Sequence, residues 1–197
     1  TIGTFPTPAT TLTGYQFKEW NTEPDGSGGS WSSGASLTIT ADTTFYAIWE
    51  PNAVNLADIT YSGNVGGSSL TWNSTTGSGQ ATADGHAANQ FTYKLDTDGD
   101  GVYDHDLSAA DYVDSGKGIT IKVGNNASAS GATNAVIAVA TSGGTVTGGG
   151  SYPIQAISTL NGETATATLE VTVPPKITGA TATGTLLPNS TYTLDSV

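Results

Sequence analysis

The sequence predicts an all-β chain, a β-sandwich preceded by a smaller β module. Residue usage is the first sign: Gly, Ser, Thr, Asn and Ala dominate, and charged residues make up only 11%. Thr and Ser suit strands, and Gly and Asn suit turns, whereas helices favour the scarcer Leu, Glu, Lys, Gln and Arg. The second is strict period-2 alternation at Phe91/Tyr93/Leu95, Ile119/Ile121/Val123 and Ala165/Ala167/Leu169/Val171/Val173, which puts each set on one sheet face. The third is Asn161-Gly162, flanked by the runs Tyr152–Leu160 and Glu163–Val173, a strong local hairpin signal. Several such strands joined by Gly-rich turns make a sandwich.

Composition divides the chain into residues 1–50, 51–173 and 174–197. The first region holds three of the four tryptophans. Within it Leu37-Thr38-Ile39 alternates like a half-buried strand, Phe45–Trp49 reads as a strand buried on at least one face, and Glu23–Gly34 is a turn-rich loop. The second region carries the alternating runs, and Ser108–Val113 is the one place where a helical turn is expected. Pro174-Pro175 lacks ladder donors and stiffens the chain, so it reads as a linker before a further β module opening at Lys176.

Seventeen acidic residues face five lysines and no arginine, for a net charge of −12. Phosphate neutralisation needs clustered cations, so nucleic-acid binding is excluded, and docking on an anionic membrane is disfavoured. Without cysteine there is neither a disulfide framework nor a thiolate zinc site. No apolar run reaches the ~18 residues of a membrane span, so no transmembrane segment is expected. Leu187-Pro188-Asn189-Ser190-Thr191 lacks the Gly, apolar tail and basic end of a sortase anchor. The chain reads as a segment of a longer protein.

The first region contains Pro6-Thr7-Pro8, then Gly14-Tyr15-Gln16-Phe17-Lys18-Glu19-Trp20, then a closing run Ile39–Trp49 (ITADTTFYAIW). This pattern resembles the Listeria–Bacteroides, or internalin-type B, repeat. Phe45 stands where the family usually has Leu, Lys18-Glu19 replaces a small Gly before the Trp, and the family's first strand is missing before Thr1, so the repeat reads as incomplete at its N-terminus. The resemblance implies a small β-grasp-like module, used in tandem on bacterial surface proteins and carrying no catalytic residues. Residues 152–173 look like the last hairpin of bacterial immunoglobulin-like domains, which implies an Ig-like β-sandwich for 51–173.

The sharpest chemical motif is Asp96-Thr97-Asp98-Gly99-Asp100-Gly101-Val102-Tyr103-Asp104-His105-Asp106. It follows the front half of an EF-hand calcium loop, in which alternate carboxylates face one point and a sixth-position Gly permits the turn. Asp96, Asp98 and Asp100 are the expected side-chain ligands of Ca²⁺, Val102 would offer its carbonyl, and Asp104 would bind directly or through water. Leu107 replaces the bidentate Glu of the twelfth position, leaving Asp106, Asp111 or Asp114 to supply a further carboxylate. Residues 84–114 hold eight Asp and one Lys, a crowding that a cation relieves. The competing reading is a solvated acidic turn, since Asp and Gly are ordinary turn residues.

Other constellations are weaker. His86 and His105 fall short of the three protein ligands a catalytic zinc wants. Glu163 and Glu170 read as solvent-facing, and no G-x-S-x-G elbow is present, so the chain is not expected to be an enzyme. Trp20 and Trp49 sit at core pattern positions. Trp31, in a Gly/Ser loop, is the candidate for a sugar contact, with packing as its ordinary explanation. Asn73, Asn126 and Asn189 open N-x-S/T sequons. Lys94 and Lys122 are candidates for an intramolecular isopeptide bond. The resulting expectation is a structural or adhesive module of an extracellular cell-surface protein or surface layer. Its partners would be a host or matrix protein, a glycan, or neighbouring copies. The alternative is a carbohydrate-binding or accessory module of a secreted enzyme.

Overall fold

The structure, a computed structural model, describes residues 2–175 and is all-β. The expected further module from Lys176 lies outside the described residues. The first region supplies β1 (Ile2–Thr4), β2 (Tyr15–Asn21), β3 (Ser30–Trp31), β4 (Ser36–Thr38) and β5 (Tyr46–Pro51). These form a three-stranded sheet, β3-β2-β5, and a two-stranded one, β1-β4. Phe17 pairs with Trp49 and Glu19 with Ile48, so Lys18 is an inserted residue, a bulge. In a regular strand residues 17 and 20 would face opposite ways; the bulge restores them to one side, where their rings stand 5.6 Å apart.

The module is closed by aromatics. Phe5 stacks on Trp31 at 5.5 Å and meets Phe45 edge-on at 4.8 Å, and Phe17 meets Trp49 at 5.8 Å. Trp20 Nε1 donates to Pro6 O at 2.7 Å, tying the entry segment across β2. Trp20 and Trp49, expected in a core, are only half-buried. Some fifty residues enclose too little volume to cover large rings completely.

The second region supplies β6 (Ile59–Ser62), β7 (Thr71–Trp72), β8 (Phe91–Leu95), β9 (His105–Asp106), β10 (Tyr112–Asp114), β11 (Ile119–Asn126), β12 (Ala132–Ala140), β13 (Gly150–Ser158) and β14 (Thr164–Thr172). A six-stranded sheet, β7-β6-β14-β13-β8-β9, and a three-stranded sheet, β10-β11-β12, share one core. The alternating sets point inward as expected: Tyr93, Leu95, Ile119, Ile121, Leu169 and Val171 are buried. β6 joins β14 in parallel, while the other sandwich strand pairs are antiparallel.

Three local details depart from the sequence reading. β12 lacks alternation, with Ala135–Ala138 all buried, and its edge is met by the segment around Gly79, whose carbonyl accepts from Val136 N at 2.9 Å. The single helical turn expected at Ser108–Val113 sits earlier, over residues 106–110, where Asp106 O accepts from Ala109 N and Ala110 N at 3.1 Å each, and Tyr112 already belongs to β10. The Asn161-Gly162 turn is longer than two residues, with Ser158 N bonded to Glu163 O at 2.8 Å.

That longer turn leaves the Asn161 carboxamide available to the first module. Its Nδ2 donates to Gly14 O at 2.7 Å and to Asn52 O at 3.1 Å, while Oδ1 accepts from Glu163 N at 2.9 Å. Asn52 N also donates to Gly14 O at 2.9 Å, and Asn52 Nδ2 reaches Asp84 O at 2.7 Å. Gly14 is buried with φ +82, and a Cβ there would stand 2.9 Å from Leu160 Cβ. Two amides and one close backbone approach therefore join the modules directly.

Candidate metal centre

The acidic motif occupies the loop between β8 and β9. Leu95 is fully buried and Asp96 N still donates to Pro153 O at 3.1 Å, so the loop starts from the sheet's rigid end. The chain returns through Leu95↔His105 and Lys94↔Asp106 pairing. Gly99 and Gly101 have φ of +81 and +87, conformations that glycine adopts without steric cost.

Within the loop the carboxylates organise the backbone. Asp96 accepts from Gly99 N at 2.7 Å through Oδ1 and from Gly101 N at 3.0 Å through Oδ2. Asp98 Oδ1 accepts from Asp100 N at 3.3 Å, and Asp100 Oδ1 from Val102 N at 2.7 Å. The loop thus curls around Asp96, and one carboxylate oxygen from each of Asp96, Asp98 and Asp100 falls within 4.8 Å of the others. Burial pushes the Asp96 carboxyl up, but the amides of Gly99, Gly101, Asp98 and Asp100 together outweigh it and hold its pKa below the ordinary carboxylate value. Three converging anionic oxygens offer a hard donor set to a divalent cation.

The structure gathers these three of the six expected ligands. Asp104 lies against Thr97, whose hydroxyl donates to both carboxylate oxygens at 3.1 and 3.2 Å. Asp106 accepts from Ser108 N at 2.9 Å and opens the following turn. Val102 is exposed, and its N–H serves Asp100. Asp114, a candidate for the further carboxylate, is engaged elsewhere, 3.1 Å from Lys117 Nζ and accepting from the Tyr152 hydroxyl at 3.0 Å. That is the one ion pair among the described residues, so none of the described lysines neutralises the trio.

The histidines stand apart from this cluster. His86 bridges Asp84 O and Ser158 Oγ at 2.9 and 2.8 Å and stacks on Phe91 beside the module joint. His105 Nε2 meets Ala110 O at 2.9 Å. Trp31 is half-buried, its ring packed against Phe5 and Phe45 on one side. Trp72 is half-buried and donates to Gly77 O at 3.0 Å. Glu163 is exposed, whereas Glu170, Lys94 and Lys122 are half-buried. The sequence reading missed Asn52 and Asn161 as joint residues: Asn161 was visible only as a turn former, and its second role depends on what folds beside it.

Residues 1–48 match the family model of the Listeria-Bacteroides repeat domain, a family typical of bacterial surface proteins. No curated protein and no solved structure matches the chain.

Proposed function

We propose that the chain is a non-catalytic structural and adhesive arm of a multidomain bacterial cell-surface protein, displayed outside the cell and stiffened by calcium in the β8–β9 loop. The observation that carries this reading is the joint. The repeat is held against the sandwich at Gly14, whose carbonyl accepts from Asn161 Nδ2 at 2.7 Å and from Asn52 N at 2.9 Å, while Asn52 is itself fixed by bonds to Asn161 and Asp84. Direct bonding of this kind transmits orientation from one module to the next, which a display arm requires and a flexible linker does not provide. The matched repeat at residues 1–48 supports the surface setting. Partners at the end of such an arm would be a host or matrix protein, a glycan, or neighbouring copies in an assembly.

Calcium fits the cluster because Ca²⁺ takes six to eight oxygen ligands in flexible geometry. Asp96, Asp98 and Asp100 supply the first three, and carbonyls, water and the adjacent Asp104 can complete the shell. Asp106 stands outside the gathered trio, with Oδ1 accepting from Ser108 N. The carbohydrate-binding alternative draws less support, since Trp31 packs against Phe5 and Phe45 and Trp72 is likewise half-buried.

Thermal unfolding in millimolar Ca²⁺ and in EDTA tests the metal role. A ligand bound only by the folded state raises the midpoint by mass action. The expected result is a calcium-dependent rise that disappears in Asp98→Asn/Asp100→Asn. Identical curves in both buffers would reduce the loop to an acidic turn and remove calcium from the proposal.

A further inference from the structure

The three sequons differ once placed in the fold. Asn189 lies outside the described residues. Asn126 is 6% exposed; its Nδ2 donates to Tyr61 Oη at 3.4 Å and to Ser78 O at 3.3 Å, and its Oδ1 accepts from Ser128 N and Ala129 N. That carboxamide is a core fixture, and substituting its nitrogen would strand buried partners. Asn73, Ser74 and Thr75, by contrast, are all exposed.

Asn73 follows β7, the outermost strand of the six-stranded sheet. Its N–H still bonds Thr60 O at 2.9 Å, and its carbonyl accepts from Thr76 N at 3.2 Å and Thr76 Oγ1 at 2.8 Å. The backbone is therefore held on both sides. The hydroxyl and N–H of Thr75 converge on Asn73 Oδ1 at 2.8 and 3.0 Å. Among the described residues nothing bonds Asn73 Nδ2. The carboxamide oxygen is fixed by the sequon's own threonine while the nitrogen stays open to solvent.

We propose that Asn73 is an N-glycan acceptor in the folded protein. The donor class is an oligosaccharide linked through pyrophosphate to a lipid. Asn73 Nδ2 forms a bond to the sugar C1, and the bond from C1 to the pyrophosphate oxygen breaks. The lipid pyrophosphate leaves with the bonding electrons, and the proton lost from Nδ2 passes to a base of the transferase. A glycan there would stand beside β7, the two-residue strand at one edge of the six-stranded sheet.

The test uses the folded chain carrying Asn189→Gln, so that only two sequons remain. It is incubated with lipid-linked oligosaccharide and an oligosaccharyltransferase chosen because it modifies a free peptide spanning residues 68–80. Intact mass and peptide mapping read the product. The expected product carries one glycan, on Asn73, with at least tenfold lower occupancy at Asn126. Asn73→Gln abolishes the product, and Thr75→Ala reduces it at least tenfold. Denatured chain should gain occupancy at Asn126. The proposal is overturned if the folded chain stays unmodified at Asn73 while the free peptide is modified, or if folded Asn126 is occupied to the same extent.

Discussion

Replacing Asn161 tests the joint most directly. Asn161→Ala removes the donor bond to Gly14 O of the first module, the donor bond to Asn52 O and the acceptor for Glu163 N. Each such bond is worth about 1 kcal/mol net. Gly14 O keeps its bond from Asn52 N, and water enters a half-buried site, so roughly half the sum is lost, about 1.5 kcal/mol. For a domain of this size that is a midpoint drop of roughly 3–6 °C. Asn161→Asp separates the two roles. It keeps the acceptor for Glu163 N but turns a second oxygen on the Gly14 and Asn52 carbonyls, so it should cost at least as much. Because the chain has no cysteine, spin labels at Thr38→Cys and Ser130→Cys report the distance between modules cleanly. Both Asn161 variants should broaden that distribution. The reasoning is refuted if the distribution and midpoint stay at wild-type values in both, or if Asn161→Asp behaves as wild type while Asn161→Ala does not. The latter would place the stabilisation in the turn alone.

Acid unfolding, core polarity and backbone strain give further expectations. Burial pushes the Asp114 carboxyl up, but Lys117 and Tyr152 outweigh it, so its folded pKa lies below the usual value. Asp96 is shifted the same way by loop amides. Their stabilisation is complete above the unfolded pKa of ~3.9 and is lost as pH falls through the lower folded values. Midpoints should therefore hold down to about pH 5 and fall steeply below about pH 4, less steeply in Asp114→Asn; an unchanged slope would separate this residue from acid stability. Tyr93 is fully buried and its hydroxyl accepts from Ala81 N at 2.9 Å. Tyr93→Phe leaves that buried N–H unpaired and should cost about 1–3 kcal/mol in urea unfolding. Desolvation raises the Tyr93 pKa to about 12, so its tyrosinate absorbance should appear only near that pH or on unfolding. Gly79 has φ +76, and a Cβ there would collide with the Val136 carbonyl. Gly79→Ala should cost at least 2 kcal/mol, on the order of strain plus a displaced backbone bond; a neutral result would show that this segment is free to shift.

Local pattern alone determined the strand character of Phe91–Leu95, Ile119–Val123 and Ala165–Val173, because a residue's side of a sheet follows from its parity along the chain. It also determined that Asp96, Asp98 and Asp100 converge, since Asp and Gly at alternating positions curl the backbone onto their own carboxylates, though not that Asp104 and Asp106 turn to other partners. The aromatic repeat pattern at 1–50 was equally legible, through its Gly, Trp and Pro spacing. What parity cannot carry was decided by tertiary structure. Four consecutive buried residues, Ala135–Ala138, make β12 look unlike an alternating strand, and its edge is bonded by a segment some sixty residues earlier. Lys18 restores Phe17 and Trp20 to one side only through its bulge, a register that exists once β5 has paired. Asp114 was a possible cation ligand by proximity in sequence, but Lys117 and Tyr152 claim it in space. Asn161 was a turn former on paper and became a joint only when Gly14 and Asn52 arrived beside it: a side-chain amide has donors on one side and an acceptor on the other, and which partners they meet depends on elements more than a hundred residues apart.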